Sequence, residues 1–181
     1  MGENTPLSIS ATEFSKEAAI EWVMDHHGES LKRFIFTYVK NRAQMDDVFQ
    51  DVMLTVYQKI DTIRDSSSLK NWLYSITANK CKDYLRSPLH RLFIWKDEIF
   101  EKTTQTPEHF VLEDEQKREV IKAIMNLPIK YREVLILQYY QEFSIEEISK
   151  LLDVNPSTIR TRIMRAKEKL KVKLKEDYLN E

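Results

Sequence analysis

The sequence predicts an all-α protein of two small helical domains joined by a linker, and three observations predict it. Its 181 residues include two glycines and five prolines, too few turn formers for a chain of β-hairpins. Apolar residues recur at helical spacing through two blocks, about 15–86 and about 108–175. In the second block, capping residues and prolines stand where that pattern restarts. The expected domains are therefore 1–86 and 108–181, with 87–107 between them.

In the first block, Met45 to Tyr57 projects as an amphipathic helix with Met45, Val48, Phe49, Val52, Met53 and Val56 inward. Leu54 and Tyr57 fall on the outward side among Asp47, Gln50 and Asp51. Apolar residues set among carboxylates on an exposed face fit a protein-binding patch, unless another element of the chain covers them. A second helix follows over Leu69–Arg86, with Leu69, Trp72, Leu73 and Ile76 inward. Asn71, Tyr74, Ser75, Lys82 and Arg86 face outward, with Asn79 at the margin. Amides, a tyrosine and spaced cations suit a single nucleic-acid strand, through stacking and phosphate pairing. The same residue types are also ordinary on a solvated helix. Trp72 is read as core rather than as a platform for a base.

Ser87 to Pro107 has no convincing period and reads as the linker. Its Leu92, Phe93, Ile94 and Trp95, near Arg91 and Lys96, are too apolar for an inert spacer. Either they pack on the domains or they dock on a partner.

The second block is punctuated into four helices, about 108–126, 128–141, 145–152 and 156–175. Thr106-Pro107 and Asn155-Pro156 each offer a cap followed by proline at the first helical position. Pro128 interrupts and restarts the pattern, and Ser144 with Glu147 fits a capping box. Only Asp153-Val154-Asn155 separates the last two helices. A short helix, a tight turn and a longer basic helix form the helix-turn-helix that lays its second helix in the DNA major groove. Projected at helical spacing, Ile159, Ile163, Ala166, Leu170 and Leu174 face inward. Ser157, Thr161 and Arg165 lie opposite with Met164 beside them, where base edges are within reach. Arg160, Arg162, Lys169 and Lys171 flank that face and suit phosphates. The competing reading is a surface helix with a solvated basic face.

The charge supports DNA once its distribution is seen. The net charge is −1, but residues 1–30 carry six acids against the single base Lys16, and residues 155–175 carry eight bases against the single acid Glu168. No apolar run reaches the roughly 20 residues of a membrane span, and the start MGENTPLSIS lacks the features of a signal peptide. Cys81 has no second cysteine to pair with, which suits a reducing cytoplasm. His26, His27, His90 and His109 are too dispersed for a zinc site, and no P-loop or serine-hydrolase elbow occurs. A binding protein without cofactor, metal or catalysis of its own is expected.

Taken together, DDVFQDVMLTVYQKI, NWLYSITANKCKDYLR and the stretch from IKAIMNLPIKYREVL to RAKEKLKVKL resemble the extracytoplasmic-function sigma factors, the smallest class of the bacterial RNA polymerase sigma family. The first two resemble the family's second conserved region, the last its fourth, in the family's order and with no third domain between. The resemblance implies that Asp47, Gln50, Asp51, Leu54 and Tyr57 dock on the coiled coil of the polymerase's largest subunit. It implies that Arg64 and Ser67 of the preceding loop, with Asn71, Tyr74, Ser75, Asn79, Lys82 and Arg86, hold the melted minus-ten strand, one base being flipped into a pocket. It places the minus-thirty-five contacts at Ser157, Thr158, Arg160, Thr161, Arg162, Arg165 and Lys169. It also implies core RNA polymerase, promoter DNA and an anti-sigma factor as partners, with the linker threading toward the polymerase cleft. Met45, Ser149 and Asp153 depart from the family's usual residues; aspartate tolerates a left-handed turn better than most. A free-standing operator-binding regulator accounts for 144–174 but leaves Asp46–Arg86 unused, and an adaptor protein leaves the polarised charge unexplained.

Overall fold

A computed structural model describes residues 15–63, 65–88 and 115–179, and every regular element among them is helical. The chain divides into two compact units, Met1–Lys102 and Thr103–Glu181.

The first unit holds α1 (Lys16–Val39), α2 (Arg42–Lys59) and α3 (Leu69–Arg86). Helix α1 was not delimited by the periodicity; it starts on Ser15, whose hydroxyl accepts the Ala18 N–H at 3.3 Å. It stops at Lys40, which takes a left-handed conformation (φ 55°) and returns its N–H to the Phe36 carbonyl. Asn41 then caps α2 by accepting the Gln44 N–H at 3.1 Å. Two residues thus end one helix and begin the next, which turns α2 back onto α1. Val23, Leu31, Phe34 and Ile35 of α1 meet Val48, Val52 and Val56 of α2 and Leu69, Leu73 and Ala78 of α3 in the core. Each such side chain withdrawn from water contributes about 1.5–3 kcal/mol before entropy is set against it.

Helix α2 buries the face expected of it, with Met53 only half-buried. Helix α3 is rotated from expectation. Its buried residues are Leu69, Leu73, Tyr74, Thr77, Ala78 and Cys81, while Trp72 and Ile76 are half-buried. Tyr74, expected outward, is wholly buried: its ring meets Phe34 edge-on at 5.2 Å, and Phe34 meets Tyr38 at 5.3 Å. Burial pushes the Tyr74 phenol up to about 12 despite a hydrogen bond with Ser30. Three aromatic rings from two helices set the rotation, and hydropathy alone contains no record of that match.

The second unit holds α4 (Glu115–Met125), α5 (Ile129–Leu135), α6 (Ile145–Leu152) and α7 (Pro156–Leu179). Positions 108–114 of the expected first helix lie outside the described residues. Pro128 separates α4 from α5, and the buried Arg132 donates from Nη1 to the Met125 carbonyl, serving an orphan acceptor at the end of α4. Helix α5 runs on through a π-helical turn, Ile136–Tyr140, which periodicity did not reveal. Glu142 (φ 59°) follows, and Phe143 enters the core with its N–H on the Leu137 carbonyl at 3.0 Å.

The last two helices start at their expected positions, α6 ending at Leu152 as expected and α7 running four residues past position 175, to Leu179. The capping box of α6 is complete: the Ser144 N–H donates to Glu147 Oε2 at 2.8 Å, and the Glu147 N–H donates to Ser144 Oγ at 3.3 Å. Asp153 takes the left-handed conformation (φ 54°, ψ 52°) that closes the helix. Asn155 Oδ1 accepts both the N–H and the hydroxyl of Ser157, at 2.9 and 2.8 Å. Ile148, Leu151 and Leu152 of α6 and Ile159, Ile163 and Ala166 of α7 are buried, which fixes the two helices as one rigid motif.

Candidate nucleic-acid interface

Ser157, Thr158, Arg160, Thr161, Arg165 and Lys169 are all exposed along α7, and Met164 beside them is 53% exposed. The first turn is held in place by Asn155, and the Thr161 hydroxyl donates to the Ser157 carbonyl at 2.9 Å. None of the described ion pairs engages Arg165 or Lys169. Their charge is therefore available to an incoming polyanion, and neutralising several phosphates gives a strongly salt-dependent affinity.

Two arginines on the same helix are engaged by carboxylates of their own unit. Arg160 Nη2 pairs with Glu146 Oε1 at 3.0 Å, linking α7 to the first turn of α6. Arg162 was expected to flank the reading face; it is half-buried and donates from Nη1 to Glu133 Oε1 at 3.1 Å. The Glu133 side chain is 5% exposed, so its charge requires a partner, and Arg162 is that partner. Arg162 therefore ties α7 to α5. The partner lies 29 positions away in sequence, beyond the reach of a helical projection. Sequence reasoning also missed Tyr139 and Tyr140, exposed at the end of the π-helical turn, with Lys167 Nζ 5.0 Å from the Tyr139 ring centre.

On the first unit, Asp47, Gln50, Asp51, Leu54 and Tyr57 line one exposed face of α2, with Leu54 57% and Tyr57 41% exposed. No other described element buries the two apolar residues. Tyr57 is braced from α1: its hydroxyl donates to Glu17 Oε1 at 3.2 Å. Lys16 Nζ sits 5.1 Å from the ring centre and pairs with Asp61 at 2.7 Å. Hydrogen bonds from its own backbone N–H, Ser15 and Tyr57 hold the Glu17 carboxyl below its usual range. These braces span 40 to 45 positions and were not visible in the pattern of α2 alone.

The outward side of α3 presents Asn79 and Arg86 fully and Asn71, Ser75 and Lys82 in part. Trp72 joins Asn79 and Arg86 at seven-residue intervals on that side, taking the aromatic place expected of Tyr74. Ser67 is exposed before the helix; its hydroxyl and N–H both bond Asp65 and hold that carboxyl below its usual range. Arg64 lies outside the described residues. No group of three or more His, Cys, Asp or Glu capable of holding a metal occurs among the described residues.

A rigid helix-turn-helix with an exposed basic second helix defines a DNA-binding protein, and the separate three-helix unit carries the exposed Leu54 and Tyr57. The comparisons narrow that class. Residues 23–89 match the family described as Sigma-70 region 2, and residues 117–170 match Sigma-70, region 4. The ECF RNA polymerase sigma-E factor of Haemophilus influenzae is 30% identical over 77% of this chain and 79% of its own. The sigma-E factor of Escherichia coli K12 is 32% identical over 70% and 71%. The RNA polymerase sigma factor SigV of Bacillus subtilis is 26% identical over 92% and 96%. Among solved structures, the sigma factor RpoE of Bartonella quintana, in complex with the anti-sigma factor NepR, shares the fold with a TM-score of 0.69 at 23% identity, over 86% of this chain and 96% of that one. CnrH, in complex with the cytosolic domain of CnrY, shares it with a TM-score of 0.64 at 22% identity, over 96% and 97%.

The chain belongs to the extracytoplasmic-function sigma factors. It is an alternative sigma factor that directs promoter recognition in transcription initiation.

Proposed function

We propose that this factor grips its promoter at two points while a third surface holds core RNA polymerase, with domains 1–86 and 108–181 joined by the linker 87–107. Asp47, Gln50, Asp51, Leu54 and Tyr57 dock on the polymerase. Ser67, Trp72, Asn79, Lys82 and Arg86, with Asn71 and Ser75 beside them and Arg64 from the preceding loop, hold the melted minus-ten strand. Ser157, Thr161 and Arg165 read the minus-thirty-five duplex, supported by Thr158, Arg160 and Lys169. The work is binding rather than catalysis, and it takes place in the cytoplasm, where polymerase and chromosome are. An anti-sigma factor restrains it, because faces made for polymerase and DNA are costly to leave uncovered.

One observation carries this reading: the uncovered Leu54–Tyr57 patch and the basic face of α7 occur on separate compact units of one chain. A DNA reader alone needs only the second. The test is run-off transcription from genomic promoter fragments with core polymerase, with and without the factor. Promoter-specific transcripts that depend on the factor are expected. Operator-like DNA binding with no such transcript overturns the reading.

A further inference from the structure

Arg160 and Glu146 form a pair whose two ends are unusually well anchored. Glu146 stands in the first turn of α6, which the Ser144–Glu147 capping box fixes. Arg160 stands one residue beyond the buried Ile159 of α7, whose start is pinned by Asn155. The 3.0 Å contact joins side chains that are 57% and 63% exposed, so it adds little to stability. It does, however, settle what Arg160 is suited to bind.

A phosphate contact asks only for a positive charge, and a carboxylate at 3.0 Å both neutralises that charge and repels phosphate oxygens. A base contact asks for something different. The guanidinium is a rigid fork of five N–H donors, and guanine presents O6 and N7 side by side in the major groove. One donor spent on Glu146 leaves the fork oriented, with further donors free for that acceptor pair. Resting on the reading of α7 as the duplex-binding helix, we infer that Glu146 is a positioning residue that makes Arg160 a reader of guanine rather than a phosphate clamp. Lys169, which no described acid engages, supplies charge that phosphates require.

The experiment uses the full-length factor bound to core polymerase. The duplex it prefers is selected from a random-sequence library, and its affinity is compared with that of a scrambled duplex. The ratio of the two affinities is read, because partial unfolding lowers both and cancels. Glu146→Gln is expected to lower that ratio about tenfold, with scrambled-duplex affinity unchanged or raised. Arg160→Lys keeps the charge but loses the fork, and it is expected to lower the ratio by a similar factor. Adding Glu146→Gln to Arg160→Lys is expected to change the ratio no further. A ratio that stays within about twofold of wild type in either single variant overturns the inference, as does an equal further loss in the double variant. If the wild-type factor selects no duplex at all, the reading of α7 itself has failed. If it selects one and Glu146→Gln discriminates equally well, only the positioning role has failed.

Discussion

Arg162 and Arg165 lie three residues apart on one helix, yet their surroundings assign them opposite duties. Arg162 answers the buried Glu133, while no described acid engages Arg165. Arg162→Ala takes a charged partner from the buried Glu133 carboxylate, so the C-terminal unit is expected to lose about 1–3 kcal/mol of stability. Arg165→Ala is expected to leave stability unchanged and to weaken promoter binding by about 1–3 kcal/mol. Urea unfolding and duplex titration of both variants separate the two losses, and the reverse pattern sinks the assignment. Tyr74 offers a second test, through pH. Its folded phenol titrates at about 12, above the ordinary tyrosine value of about 10. Between those values the unfolded chain releases this proton and the folded chain keeps it, so stability falls as pH rises. The loss attributable to Tyr74 approaches on the order of 2 kcal/mol by the upper end of that window. Tyr74→Phe, which lacks the proton, is expected to be about 1 kcal/mol weaker at neutral pH through loss of the Ser30 contact. Its deficit then shrinks and reverses above pH 10; parallel curves for the two proteins contradict this.

Between residue and fold stand the helices, and what makes each one legible is local chemistry. Helix α6 and the start of α7 were readable because Ser144, Glu147 and Asn155 satisfy backbone groups within three residues of themselves, and Pro156 lacks the N–H that a first helical position would leave unpaired. Ser144→Ala removes one partner of that box and is expected to lower the unfolding free energy of the second unit by about 1 kcal/mol. Because Glu147 then loses its own hydroxyl partner as well, thermal melting of the unit is expected to shift downward; an unchanged melt means the cap is idle. The helix α3 was readable in extent but not in rotation. Hydropathy prefers tryptophan in the core and tyrosine at the surface, whereas the Phe34 ring selects Tyr74 for the core and leaves Trp72 half-buried. The Arg162–Glu133 tie was hidden because its partner is distant in the chain, and the π-helical turn after α5 was hidden because it departs from the α-helical period. Of the candidate site, the exposed apolar pair on α2 and the outward face of α7 were visible from one helix at a time. The braces on Tyr57 and Arg160 were not.

At the scale of the whole molecule, the division into two compact units predicts that the proposed polymerase and duplex contacts can be separated by mutation. The core of each unit is closed by its own helices, so damage to a surface of one need not reach the other. Leu54 and Tyr57 lie outside the core, so replacing them removes only the surface contacts of Tyr57 with Glu17 and Lys16. Leu54→Asp with Tyr57→Ala places a charge at the centre of the apolar patch and removes its aromatic anchor. Loss of a central interface residue of this kind commonly costs about 2 kcal/mol or more in binding. Association with core polymerase is therefore expected to weaken by more than about thirtyfold, read by co-purification and by competition against the wild-type factor. Helical content is expected to stay the same, and so is the affinity of the C-terminal unit for duplex DNA, including its salt dependence, because the basic face of α7 is untouched. Run-off transcription then fails although both folds and one DNA contact survive. If the double variant still co-purifies normally with core polymerase, the patch serves some other partner. If instead its duplex affinity falls in parallel, the two units are coupled in a way their separate cores do not provide.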